Sequence, residues 1–171
     1  GWKIGMLVKV PSNGTVITKA KDSVLVAKNK VNLLATVDKS KQRNMVLLLP
    51  FNINKIETDS VKTKTEQLKT NKFLNLTLDF YAGALMAIDS AKVLGLPVNV
   101  KVYDVESTKY SSNVASIISK NDFENVDAVV GPFQNSIVET TAQLLTKYNT
   151  PVISPLSKER GLPLPNLYYT V

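Results

Sequence analysis

The chain has 171 residues, 44% of them apolar, and a formal net charge of +7, enough for one ordinary domain with a genuine core. It contains no cysteine and no histidine, which excludes disulfides and thiolate metal sites and removes the commonest general base and the Ser-His-Asp triad. The charge is uneven: residues 1–72 hold 14 Lys/Arg against 5 Asp/Glu (+9), and residues 73–171 hold 7 against 9 (−2).

In chain order, residues 1–11 (GWKIGMLVKVP) form a compact apolar stretch. Residues 12–44 are rich in Lys, Asn, Ser and Thr around two apolar centres, Val24–Ala27 and Val31–Val37, and read as a basic linker holding short strands or one helix. Without an aromatic stacking platform, this basic excess does not predict a nucleic-acid partner; its functional reading is a weak attraction to anionic envelope polymers. The run Met45–Phe51 (MVLLLPF) predicts a first strand. Asn54–Lys72, lysine-rich and poor in apolar residues, predicts a mobile surface loop inserted at 54–72. Leu74, Leu78, Tyr81, Leu85, Ile88 and Ala91 recur every three or four residues and predict one helix face over 73–94, stopped by Gly95 and barred from continuing by Pro97. In Val98–Val105 (VNVKVYDV) valines alternate with polar residues, as in an edge or half-covered strand. Val114, Ile117 and Ile118 stripe a short helix after Ser111 and Ser112. Asp127–Phe133 (DAVVGPF) predicts a third strand. Ser136 and Glu139 then have capping-box spacing at the start of a helix striped by Ile137, Thr141, Leu144, Leu145 and Tyr148. Pro151–Pro155 (PVISP) predicts a fourth strand.

Strand alternating with helix predicts an α/β fold, a three-layer parallel sheet with helices on both faces and right-handed crossovers. The first strand is expected between the second and third, giving a switch point beside Pro50–Asn52 and Gly131–Gln134, where such sheets bind ligands. The strand-end loops read Pro-Phe-Asn, Asp-Val-Glu, Gly-Pro-Phe-Gln and Ser-Pro-Leu-Ser, which suit binding better than catalysis. The free N–H groups opening the third helix, with Gln134, Asn135 and Ser136 and with Ser154 and Ser157 nearby, suit a carboxylate. The plainer reading leaves Ser136 as a cap and Gly131 as a tight turn. Phe51 and Phe133 form either a lid over a ligand or packing beneath a second lobe. Asp104 and Glu106 pair at a strand end without further carboxylates and read as polar strand-end groups; Asp79 and Asp89 face solvent. No G-x-G-x-x-G, G-x-x-x-x-G-K-[ST] or G-x-S-x-G sequence occurs. No apolar run approaches the ~18 residues of a membrane span. No signal peptide is visible, and a start at Gly1 leaves room for a targeting segment already removed.

The segment VNVKVYDVEST, followed after a helix by NVDAVVGPFQNSIVETTAQLLTKYNTPVISPLS, resembles the first lobe of type 1 periplasmic binding proteins. That family includes the branched-chain amino-acid receptors of ABC importers. The strand-Gly-Pro-loop-helix element, the Pro-Val-Ile-Ser-Pro element and the long helix YAGALMAIDSAK carry the likeness, over residues 45–171. The resemblance implies a Rossmann-like lobe that closes with a second lobe on a ligand, with no catalytic residues, metal or cofactor. Carried over residue by residue, it implies ligand contacts from Asn52, Phe133, Gln134, Asn135, Leu156 and Ser157. Gln134-Asn135-Ser136 and the bulky, charged Leu156-Ser157-Lys158-Glu159-Arg160 depart from the family's hydroxyl-rich loops. The chain stops where the crossover to a second lobe is expected, so residues 45–171 read as a partial N-terminal lobe, and its uncovered apolar surface predicts self-association.

Residues 1–11 resemble the closing segment of a LysM repeat, with Gly5-Met6 and Val10-Pro11 in place. LysM modules bind glycans such as peptidoglycan. Together the two resemblances imply a non-enzymatic protein of the bacterial periplasm or cell envelope. It would associate with peptidoglycan and bind a small polar solute such as an amino acid or a peptidoglycan fragment. The alternative is a ligand-free envelope scaffold or regulator of cell-wall synthesis, similar to the lipoprotein activators of penicillin-binding proteins.

Overall fold

The computed structural model describes residues 33–108, 111–156 and 160–170. The chain divides into two compact units, residues 1–37 and 38–171. In the first, the described part holds a one-turn helix, α1 (Leu33–Thr36), within the second apolar centre of the basic segment. The LysM-like stretch 1–11 and the rest of that segment up to residue 32 lie outside the described residues.

The second unit is a five-stranded, all-parallel sheet in the order β2-β1-β3-β4-β5. Its strands are β1 (Arg43–Leu49), β2 (Val98–Asp104), β3 (Ala128–Val130), β4 (Val152–Ser154) and β5 (Leu167–Tyr169). β1 is central. Val46, Leu47, Leu48 and Leu49 are all buried, because a strand with helices on both faces has no polar side to show. It starts two residues earlier than the apolar run suggests, since Arg43 and Asn44 already pair with Val98 and Asn99. It ends at Leu49, before Pro50, which has no N–H for a ladder. β2 lies at the edge, and its burial alternates over its first residues as the sequence predicts.

Side chains alternate across the sheet. Val46, Leu48, Val129 and Val152 join Val114, Ile118, Phe123, Ile137, Val138 and Leu145 in one core. These last residues come from α5 (Val114–Lys120), α6 (Asn135–Leu145) and the turn between α5 and β3. Leu47 and Leu49 point the other way and pack with Phe133 under the 22-residue helix α4 (Lys72–Val93). The layering and strand order therefore agree with the sequence reading.

Three expectations need correction. The stretch 54–72 is largely helical, forming α2 (Ile53–Glu57) and α3 (Lys64–Thr70). A capping box starts α3: the Thr63 side chain accepts from the Glu66 N–H, and the Glu66 carboxylate accepts from the Thr63 N–H. Second, the buried face of α4 runs through Leu74, Thr77, Tyr81, Ala84, Ile88 and Ala91, whereas Leu78 and Leu85 lie at 36% and 43% exposure. The side chains that pack are partly small, so a search for large apolar residues lands one step off the true face. Third, β5 was not expected. It follows a connection that holds no helix among its described residues and has only three residues. The buried Asn166 fixes its start, donating to the carbonyls of Ala142 (2.9 Å) and Thr150 (3.0 Å). α4 ends as the sequence implies. Gly95 adopts φ +70°, and the N–H groups of Gly95 and Leu96 reach back to Lys92 and Ala91. Among the described residues no helix is long and apolar enough to cross a membrane.

Candidate functional site

The carboxyl ends of β1, β2 and β3 converge because β1 lies between the other two. After β1, Asn52 sits in the left-handed region (φ 55°, ψ 48°), which Asn tolerates better than most residues. This turns the chain into α2, whose first N–H groups have no helical partner. Asp104, at the end of β2, supplies one. Its two carboxylate oxygens accept from the N–H groups of Asn52 and Ile53, each at 2.8 Å. A negative charge at a helix start also suits the local dipole. Asn52 then ties the two loops together. Its side-chain oxygen accepts from the Ser107 N–H (3.1 Å), and its amide nitrogen donates to the Pro50 carbonyl (3.2 Å). Asn54 bonds Glu106 through its side-chain amide, and the Lys55 ammonium donates to the Ser107 carbonyl at 2.6 Å. Asp104 and Glu106 thus brace the loops rather than forming a catalytic pair.

After β3, Gly131 adopts φ +92°, and a Cβ there would stand 2.3 Å from the Leu48 carbonyl oxygen. Only glycine allows this crossing over β1. Phe133 follows and is buried, its ring edge-on to Phe80 (5.2 Å between centroids) and Phe73 (6.3 Å). Phe51 makes a similar contact with Tyr81 at 5.6 Å. Both rings therefore pack against α4 within the lobe itself. Gln134 is the N-cap of α6, and its carbonyl accepts from Ile137 and Val138. The Ser136–Glu139 capping box therefore does not form, because Ser136 is already inside the helix. Glu139 instead accepts from the Leu162 N–H (3.0 Å) and the Tyr169 hydroxyl (3.4 Å). Burial first, and then the Glu139 carboxylate, push the Tyr169 hydroxyl above its ordinary pKa.

These loops enclose a pocket of about 240 Å³. Its polar lining includes Asn52, Lys55, Gln67, Asn71, Ser107 and Gln134, its apolar lining includes Phe51, Ile56 and Phe73, and among the described residues no acidic one lines it. Of the ligand contacts read from the sequence, Asn52 and Gln134 share this lining. Phe133 lies beneath in the aromatic cluster, Asn135 is half-buried in the first turn of α6, and Leu156 is exposed on the turn after β4. Ser157 lies outside the described residues. A second hollow of about 400 Å³ sits between the starts of α5 and α6, with Thr108, Ser111, Ser112, Ser136 and Thr140 giving it hydroxyls. Sequence reading missed Lys55, Gln67, Asn71 and Ser107. Thr63-Lys-Thr-Glu66, a capping-box sequence, was the signal that α3 would wall the pocket.

No family model matches the chain, and no curated protein sequence is similar to it. One solved structure is similar: the substrate binding protein LivJ of a branched-chain amino acid transporter from Streptococcus pneumoniae, in complex with isoleucine. The TM-score is 0.53 with 20% sequence identity, over 75% of this chain and 33% of that one. The parallel α/β fold is similar to part of that substrate binding protein. The matched part spans about a third of the similar protein's length. At this identity the likeness is one of fold, and the chemistry of the strand-end loops is read from their own residues.

Proposed function

We propose that this chain is part of a non-enzymatic cell-envelope protein whose solute-binding-like lobe receives a small polar solute such as an amino acid. The pocket at the strand ends supports this reading, because it brings neutral amides, one ammonium and apolar side chains together at the switch point of a parallel sheet. The fold points the same way, since the similar LivJ structure holds isoleucine. Ligand contacts are proposed from Asn52, Phe133, Gln134, Asn135, Leu156 and Ser157. Closure of a second lobe over these loops is the proposed mechanism. Residues 1–11 are proposed to belong to a LysM repeat that anchors the protein to peptidoglycan, in the periplasm or cell envelope.

A thermal-shift panel of amino acids and muropeptides tests the receptor reading. Stabilisation that grows with concentration is expected for at least one solute, and a flat response to the whole panel contradicts it. One observation favours the second reading, a ligand-free scaffold or regulator. Both ends of the Asn52 side chain are already used, and Phe133 is committed to packing. A flat response is the result that scaffold predicts.

A further inference from the structure

We propose that Lys55, carried by the inserted pair α2–α3, anchors a carboxylate in the pocket and makes that insertion its specificity wall. This rests on the solute-binding reading above and names the group the site selects. The Lys55 ammonium lines the pocket and is held at one point, donating to the Ser107 carbonyl at 2.6 Å. Ser107 is itself buried, and its N–H is fixed on Asn52. An ammonium has three donors, so two remain for a ligand. The ion pairs among the described residues are Arg43–Asp127 and Lys92–Asp89, leaving Lys55 without a carboxylate partner there.

The acids on the adjoining strand end are turned to other partners, Asp104 to the start of α2 and Glu106 to Asn54. Lys55 is thus the one charged side chain among the described lining residues; it lies on the exposed side of α2, where its ammonium can make a charge-assisted hydrogen bond to a carboxylate. Gln134 lines the same pocket, and its side chain makes no cap bond to α6. Ile56 and Phe73 offer apolar contact. The chemistry selected is a small monocarboxylate with an apolar body. At about 240 Å³ the space lies below that of drug-sized pockets and suits an amino acid.

The test titrates the ¹⁵N-labelled chain with L-isoleucine and with L-isoleucinamide, which differ in the carboxylate, and repeats both titrations on Lys55→Gln and Lys55→Arg. L-isoleucine is expected to shift the amides of Ser107 and Gln134. The amide analogue should bind about tenfold more weakly, as loss of one charge-assisted hydrogen bond implies. Lys55→Gln should lose a similar factor and Lys55→Arg should recover most of it. Equal binding of acid and amide at those residues overturns the role of Lys55 and leaves the solute reading standing. No shift with L-isoleucine, L-glutamate or N-acetylmuramyl dipeptide overturns both. If Lys55→Gln does not fold, the acid–amide comparison on the unmodified chain decides.

Discussion

On the α5–α6 side of the sheet, Val46, Leu48, Val129 and Val152 meet Ile118, Phe123, Val138 and Leu145, and every one of them is buried. On the α4 side, Leu47, Leu49 and Phe133 form the buried centre, flanked by the half-buried Phe80, Tyr81 and Ala84. Away from the pocket, an apolar groove of about 260 Å³ remains between Ala87 and Ala91 of α4 and Met45, Val98 and Val130 of the sheet. Farther along that face Tyr168 is 56% exposed. The α5–α6 face holds the fold by burial. The α4 face closes tightly only at the strand ends, where the Phe73 and Phe80 rings meet Phe133 and the start of α4 lines the pocket. Stability and the candidate site thus draw on different halves of the same sheet.

That contrast breaks if substitutions on the two faces cost the same. Leu145→Ala, at a side chain with 0% exposure in the tight core, is expected to lose about 3 kcal/mol by denaturant unfolding. Asn166→Ala should cost about 2 kcal/mol, because it takes away the donor to the Thr150 carbonyl and one of the donors to the Ala142 carbonyl.

Asp127→Asn should cost about 1 kcal/mol at neutral pH. The Asp127 carboxylate joins the starts of β1 and β3, accepting from the Asn44 N–H (2.7 Å) and the Arg43 guanidinium (3.2 Å). The Asn44 N–H, and then Arg43, hold its pKa below the ordinary 3.8. A depressed folded value means the stabilisation is present above the unfolded pKa and is lost as pH falls through the folded one. The gap between wild type and Asp127→Asn should therefore narrow on acidification from pH 6 to pH 2, and a constant gap contradicts the assignment.

Leu85→Ala should change stability by less than about 0.5 kcal/mol. A loss near that of Leu145→Ala would put Leu85 back on the packed face, where its spacing first placed it.

The sequence made the strand–helix alternation legible, because β1 and α6 carry long apolar patterns. It also placed β1 between β2 and β3, which set the switch point. What it hid has physical causes. Leu78 and Leu85 outweigh Thr77 and Ala84 in hydrophobicity, yet it is the smaller pair that faces the sheet. β5 is too short to show a period, and its position depends on Asn166, a polar residue that no apolar pattern marks. For the site, composition made Asn54–Lys72 look like loop, while its two helices draw their starts from specific caps, Asp104 for α2 and Thr63 with Glu66 for α3. Asn52 and Gln134 were legible because they sit at strand ends. Lys55, Gln67 and Asn71 were not, because their place depends on how that insertion folds back.

The central claim is that the pocket at the carboxyl ends of β1, β2 and β3 receives a small solute. Its most direct test is the map of amide shifts when the labelled chain is titrated with the amino acid that gives the largest thermal shift. The account predicts saturable shifts centred on Asn52, Lys55, Ser107 and Gln134, with the amides of Leu145 and Val152 unmoved. Shifts confined to the α4 groove or the hydroxyl-lined hollow, or none at all, would contradict it.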